Sequence, residues 1–572
     1  MNYPNPGKSI SAISGSCKYI SSILFTGHTW WIATVFAAFC LLCAPAPLLA
    51  QTQLGVDIDG ESAEDSSGAV SLSSDGNRLA IGATGNDANG TGSGHVRVYE
   101  WAGMAWTQFG ADIDGEAVGD HSGSSVSLSS DGNRLAIGAT GNDGNGNLSG
   151  HVRVYEWSGM SWTQLGSDID GEAAGDEVGL AVSLSSDGNR LAIGAPYNNE
   201  NAGHVRVFEW SDSTWTQLGA DIDAEAAADY SGFSVSLSSD GNRLANGAIW
   251  GSHARVYQWS GTAWVQLGAN IDGEQAGDQS GRSVSLSGDG NRLAIGAPMN
   301  DGNGSESGHT RVYQWSGSTW TQLGTDIDGE ATGDRSGWSV SLSSDGNRLA
   351  IGALWHGSSA GHVRVYQWSG MAWTQLGADI DGEAVDDHSG SVSLSSDGNR
   401  LAIGASGNDG NGDHAGHVRV FDLSMFNVFK INPGLNDAWY NRTTDGQGFL
   451  ITVFPSVKLM FLAWFTFDTE RPPEDVSAHL GEPGHRWLTA QGPYDGGTAN
   501  LVIYLTEGGV FDSPQPPASL DLDGYGSMTL EFADCENGLV RYEITSLGLS
   551  GEIPIERVAP DNVSLCESLS AN

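Results

Sequence analysis

Basic residues are scarce in this chain of 572 residues: 25 Lys and Arg stand against 69 Asp and Glu, for a net charge of −44. Lysine is missing altogether between Lys18 and Lys430. A chain so poor in cations has no surface for phosphate backbones, which excludes nucleic acid as the expected partner. Cysteine is also rare. Cys17, Cys40 and Cys43 lie near the N-terminus, so only Cys535 and Cys566 remain beyond residue 50. Long apolar runs are missing too, apart from residues 30–43, and that run is short for a membrane span. After residue 50 no stretch reads HExxH, CxxC or SxxK, so none of those catalytic signatures is present.

The first fifty residues carry Lys8 and Lys18, no acidic residue, the apolar run and a small-residue exit over 44–50. This pattern predicts a secretory signal peptide over 1–50, cleaved after Ala50. The mature protein is then expected to be secreted, extracellular or on the cell surface, with no membrane span left. In an exported chain the two remaining cysteines are expected to pair as Cys535–Cys566.

What the chain has in abundance is repetition. A WTQLGxDIDGE segment, then SVSLSSDGNRLAIGA, then GHVRVYEW recur seven times, with the DIDGE element starting at Asp57, Asp112, Asp168, Asp221, Asn270, Asp326 and Asp379. Each copy holds four short alternating runs, exemplified by A (from Ser125), B (from Arg134), C (from His151) and D (from Trp162). The S-D-G-N and W-S-G-x-x-W links between them are short enough for antiparallel hairpins. Four-stranded units that cannot bury both faces alone must stack. The radial solution predicts an all-β fold: a seven-bladed β-propeller of four-stranded blades over residues 51–424, plus a smaller all-β domain over 425–572.

Six copies place two Trp five residues apart across the C–D hairpin, as in Trp157 and Trp162. The seventh pair is missing, because Leu423 ends the last C strand and Gln51 opens the first D strand. The residues from 51 to 58 are therefore expected to complete the last blade.

The run GDQSGRSVSLSGDGNRLAIGAP (residues 277–298) resembles the FG-GAP repeat of integrin α-subunit propellers, with SG in place of FG and IGAP in place of GAP. That family's calcium loop lies between strands A and B. Here the connection is cut to S-S-D-G-N, so the resemblance transfers no cation site. Farther on, NDAWYN, TDGQGF, AWFTFD and HRWLTAQG (within residues 436–491) resemble a C-terminal module of exported proteobacterial proteins, and no site comes with that resemblance either.

Two sets of residues are candidates for function. Each D–A segment carries acids at positions 1, 3, 5 and 9, as in Asp112, Asp114, Glu116 and Asp120, or Asp168, Asp170, Glu172 and Asp176; Asn270 alone departs from the pattern. Such a set suits a structural Ca²⁺ ion, and equally an acidic rim whose side chains cap turns. The strand-C histidines, His151 among them, carry no ligand signal of their own, having no second ligand close in sequence.

The second set is variable. Within a fixed frame, D–A and B–C positions change from copy to copy and include Tyr230, Phe233, Trp250, Arg282, Arg335, Trp338, Trp355 and His356. Aromatic and Arg side chains confined to one face are the residue types of a binding surface. The expected function is accordingly that of an exported, non-enzymatic binding or adhesion protein recognising an extracellular protein or glycan. The alternative is a hydrolase or lyase acting on a polysaccharide, with Glu177, His121 or His388 near the axis.

Overall fold

The computed structural model describes residues 51–424, 429–443, 447–467, 485–507, 519–520, 525–532, 534–544 and 547–570. The expected signal peptide, residues 1–50, lies outside them. No helix among the described residues is long and apolar enough to cross a membrane.

Residues 51–424 form seven antiparallel sheets arranged as a seven-bladed propeller of four-stranded blades. In one blade, strand A is Ser122–Leu128, B is Arg134–Ala139 and C is His151–Trp157. Strand D differs from the unbroken strand expected from sequence. It is split into Trp162–Gln164 and Ile169–Asp170, both paired with strand C. Gly166, at φ +84°, stands in the break and brings the chain against the next blade's Trp210 and Trp215. The paired tryptophans face each other across the hairpin in register, Trp157 opposite Trp162 with ring centroids 5.5 Å apart.

Strands B and C are the buried middle of each blade, and their apolar side chains pack into the neighbouring blade. Val152, Val154 and Ile169 of one blade meet Leu184, Leu191 and Ile193 of the next in a single cluster. The SG and IGA signatures meet at the same junction: a Cβ on Gly138 would lie 1.9 Å from the carbonyl oxygen of Gly179 in the following copy. Only glycine permits that approach.

Four hydrogen-bond series run around the ring. The Ser71 hydroxyl accepts from the amide of Leu128, and the series continues from blade to blade until Leu72 N–H donates to Ser393. On the axis, Ser74 N–H donates to Ser130 O and Ser396 N–H returns to Ser74 O, closing a belt of main-chain bonds. Nη1 of Arg134 donates to Asn189 of the next blade, and Nη1 of Arg400 closes that series on Asn77. Nε1 of each second Trp donates to a carbonyl of the preceding copy, as Trp162 does to Phe109.

The last blade takes its outer strand from the start of the described chain. Thr52–Gln53 pairs with Asp422 and Phe421, and Ile58–Asp59 pairs with Val418 and His417. Gln51 stands where the seventh Trp is missing, and its Nε2 donates to Leu376 O at 3.0 Å and Ala378 O at 2.8 Å.

The C-terminal part is a closed eight-stranded antiparallel barrel. Seven of its strands, Gly448–Phe454, Leu459–Phe467, His485–Asp495, Thr498–Glu507, Gly526–Phe532, Asn537–Ile544 and Leu549–Arg557, fall on stretches whose sequence itself suggests strands, at 448–454, 459–467, 486–491, 500–506, 527–533, 539–545 and 552–558. The eighth, Asp437–Tyr440, pairs with Gly448–Phe454 on one side and Leu549–Arg557 on the other, and so closes the sheet. Trp439 fills the interior with Phe449, Ile451, Leu462 and Trp464. Cys535 and Cys566 form a disulfide with Cα atoms 5.8 Å apart.

Candidate functional site

The A strands line a central channel whose two ends differ. At the end formed by the A–B turns the serine belt leaves a narrow space of about 140 Å³, lined by the repeating Leu and Ser side chains and Gly288. At the other end the D–A and B–C connections surround a mouth of about 610 Å³. Its lining is irregular, with Leu180, Phe233, Arg282, Trp338, Leu354 and His388 from different copies. The constant end is set by backbone pairing, whereas the wide end displays side chains.

Backbone geometry sets the wide end apart as well. Ser66, His121, Glu177, Tyr230, Gln279, Arg335 and His388 occupy one position of the frame, and all seven have φ between +49° and +57°. Left-handed backbone costs a non-glycine residue roughly 1–2 kcal/mol. The frame nevertheless places Glu, Tyr, Arg and His there, so the side chains are displayed at the expense of backbone comfort.

The eight residues expected on this face divide into three groups. Phe233, Arg282 and Trp338, from three consecutive blades, converge on the mouth. The Arg282 guanidinium lies 4.5 Å from the Phe233 ring centroid and 3.9 Å from that of Trp338. Burial lowers Arg282 to about 10, which leaves it cationic at neutral pH, and no carboxylate pairs with it among the described residues. A second group lies outside the mouth. Tyr230 packs between Tyr197 and Trp250, at 5.4 and 6.4 Å, and Arg335 pairs with Glu306 at 2.7 Å while lying over Trp355.

His356 does not belong with either group. Its ring stacks on His362 at 4.0 Å and its Nδ1 lies 3.1 Å from Asp334. Burial and the nearby His356 push His362 down to about 4. Leu180 and Leu354, which stand at variable positions of the frame, line the mouth, and Tyr197 joins the face without having stood out in sequence, since a lone Tyr in a loop carries no signal until neighbouring blades bring residues together. Of the three residues named for a hydrolytic alternative, His388 lines the mouth while Glu177 and His121 do not. Burial raises the Glu177 carboxyl above its usual range.

The acidic segments depart from the single-loop cation site foreseen as one reading of their spacing, because the four acids of a segment serve different places. Asp120 turns inward and accepts the amides of Glu116 and Ala117, capping its own loop. Asp114 is exposed, and its main-chain oxygen accepts from Arg153. Asp112 accepts from Gln108 and faces His95, whereas Glu116 faces His151 at the following blade junction. Asp176 likewise accepts the amide of Ala173, and Asp168 faces His151 while Glu172 pairs with Arg206 at 3.8 Å. Position 1 of one copy and position 5 of the copy before it thus converge on a strand-C histidine. Sequence distance hides this convergence, because Glu116 and Asp168 meet only when neighbouring blades pack.

A family model described as the FG-GAP repeat matches residues 271–313, which run from the end of strand D of one copy through strands A, B and most of C of the next sheet. No curated protein matches the chain. Among solved structures, the chain is similar to the hydrazine synthase of Kuenenia stuttgartiensis, with 15% identity, 62% of this chain and 94% of that chain covered, and a TM-score of 0.42. It is also similar to the periplasmic gluconolactonase of Pseudomonas aeruginosa, with 16% identity, 62% and 93% covered, and a TM-score of 0.40. At these values the likenesses carry nothing about what this chain does.

Proposed function

We propose that this is an exported, non-enzymatic binding or adhesion protein that takes an extracellular protein or glycan into the wide mouth of its propeller. One observation carries the reading: a cation, Arg282, held between two aromatic rings at the mouth of a channel, without a carboxylate partner among the described residues, in a chain of net charge −44. A partly desolvated guanidinium with aromatic walls suits a ligand that offers a carboxylate together with an apolar or sugar face. The outer groups around Tyr230 and Trp355 supply contact area at the rim.

A screen of the full chain against acidic and neutral glycans and peptides tests this. Arg282→Gln and Trp338→Ala are each expected to weaken the ligand found by about 30-fold or more, the effect of losing roughly 2 kcal/mol at an anchor. Trp355→Ala, farther from the mouth, should cost less. Met371→Ala, on an exposed turn of the other face, should change nothing. Undiminished binding in both the Arg282 and Trp338 variants would remove the site from the mouth. The raised carboxyl of Glu177 is what favours the alternative of a polysaccharide hydrolase or lyase; turnover abolished by Glu177→Gln would establish it instead.

A further inference from the structure

The blade junctions hold a second repeated constellation, separate from the channel mouth. At one of them Nδ1 of His151 stands 4.0 Å from Oε2 of Glu116 and 3.9 Å from Oδ2 of Asp168, and the three ligand atoms all lie within 4.8 Å of one another. The same trio recurs as Glu61, His95 and Asp112, with Nδ1 of His95 3.9 Å from Glu61. It recurs again around His309, whose Nδ1 is 4.0 Å from Glu274 and 3.8 Å from Asp326.

At the His151 junction each carboxylate is anchored through one oxygen and presents the other. Oδ1 of Asp168 accepts from Nε2 of Gln164 at 2.6 Å, leaving Oδ2 toward the imidazole. Oε1 of Glu116 lies 3.6 Å from Nη1 of Arg153, leaving Oε2 toward the same ring. Anchoring of this kind around a ligand set is what orients ligands at metal centres.

The histidines supply an independent observation. His95 and His309 are 0% and 1% exposed, and neither ring nitrogen of either has a hydrogen-bond partner. A buried imidazole without partners carries a desolvation cost that nothing on the protein side offsets. Their Nδ1 atoms face the carboxylates of Glu61 and Glu274, whose side chains stay 43% and 45% exposed.

We propose that these junctions bind a divalent transition-metal ion, with Zn²⁺ as the representative, through Nδ1 of the strand-C histidine, the Glu oxygen of one repeat and the Asp oxygen of the next. Two of the three distances are about 4 Å and all lie within 4.8 Å, so a point in their plane is about 2.3–2.5 Å from each atom, a few tenths of an ångström beyond zinc–nitrogen and zinc–oxygen bond lengths, and a small rotation of the half-exposed Glu closes the gap. One imidazole and two carboxylate oxygens leave a fourth position for water. Ca²⁺ is disfavoured, since it takes six to eight oxygens and no imidazole. With the imidazole neutral, Glu, Asp and the adjoining Arg sum to a single negative charge, which a divalent ion more than neutralises. An ion so held ties one repeat's loop to the next blade.

The repeat contains its own exception. Where position 1 is Asn270, its Nδ2 donates to Oε2 of Glu225 at 2.6 Å, so an amide occupies the place of the second carboxylate beside His253. The junction around His253 should therefore bind no ion.

The test uses the untagged full chain, stripped with chelator and then equilibrated with Zn²⁺ alone, with bound metal counted by elemental analysis after dialysis. The parent protein should hold several ions per chain. His151→Gln should hold one fewer, and Asn270→Asp one more, since it completes the trio at His253. Both variants should melt like the parent in the absence of metal, and Zn²⁺ should raise the melting temperature of the Asn270→Asp variant further than that of the parent. Equal stoichiometry in all three proteins, or uptake of Ca²⁺ equal to that of Zn²⁺ at the same free concentration, would reduce the clusters to a solvated acidic surface and overturn the proposal.

Discussion

Deletion of residues 51–59 is expected to lower the melting temperature of the propeller by on the order of 10 °C and to make the protein associate. The segment is small, but it is placed where the ring is joined. Ile58 is buried and Leu54 packs beside it, in a cluster with Leu72, Leu79, Ile81, Tyr99, Val418 and Val420 that spans the first and last blades. Burial of two such side chains contributes roughly 1.5–3 kcal/mol each. Leu54 N–H donates to Val420 O, Arg97 donates to Asp59 O, and Trp106 donates to Leu54 O. At about 0.5–1.5 kcal/mol net per bond, their loss brings the total to roughly 5 kcal/mol or more. A shift of a few degrees per kcal/mol gives the temperature change stated.

The same deletion uncovers His417–Asp422 along its outer side. A newly exposed strand edge invites pairing with a second copy. Calorimetry together with light scattering checks both expectations, and a truncated chain that melts with the parent and stays monomeric would show that the ring does not depend on this strand. Gln51→Ala removes only the two side-chain bonds to Leu376 and Ala378, so it should cost about 1–2 kcal/mol without association.

Replacing both Cys535 and Cys566 by Ser is expected to destabilise the barrel by roughly 3–4 kcal/mol, the chain-entropy value for a closed loop of this size. The cysteines are 31 residues apart in sequence. The bridge also holds the terminal helix Val563–Ser570, where Cys566 is fully buried. Asn432 donates to Cys566 O and to Ser570 Oγ, and Gly434 lies so near the cysteine that a Cβ there would meet the Cys566 Cα at 2.3 Å. On the other side, Arg557 donates to Cys535 O and Gly434 O and pairs with Asp437 at 2.7 Å. Loss of the bridge should therefore loosen the start of the barrel along with the helix. Hydrogen exchange read by mass spectrometry should rise over residues 431–440 and 563–570 and stay unchanged in strands B and C of the propeller. Identical exchange in the parent and the double variant, or in the parent before and after reduction, would show that the disulfide contributes nothing to the barrel.

The blade itself was legible in the sequence because everything that specifies it is local. Alternation of buried and exposed residues has a period of two, the S-D-G-N turn satisfies its own amides, and the two tryptophans of a hairpin are fixed opposite each other by a short loop. Asp131, for example, accepts from Ser129 Oγ, Asn133 N and Asn133 Nδ2 within five residues of chain. Seven copies of such a unit leave a ring as the arrangement that buries their faces. Asp437–Tyr440 escaped notice because four residues between Asn and Asn are too few to show a period, and it takes the closure of the barrel to give them partners.

The sites follow from distances that only packing creates. Variable residues were readable as a face, yet Phe233, Arg282 and Trp338 became one clamp, and His356 turned away to His362, through the angle between successive blades. Asp112 and Glu116 look like ligands of one ion when read along the chain. In the fold a short strand, Ile113–Asp114, separates them and sends one to each neighbouring junction. The sequence alone determined the repeat, the strands, the turns and the face on which variation is confined, since these depend on residues a few positions apart. The tertiary structure alone decided which acids meet which histidine, which cation is left unpaired at the mouth and how Gln51 closes the ring, because those contacts join residues tens to hundreds of positions apart and exist only once blade is wedged against blade.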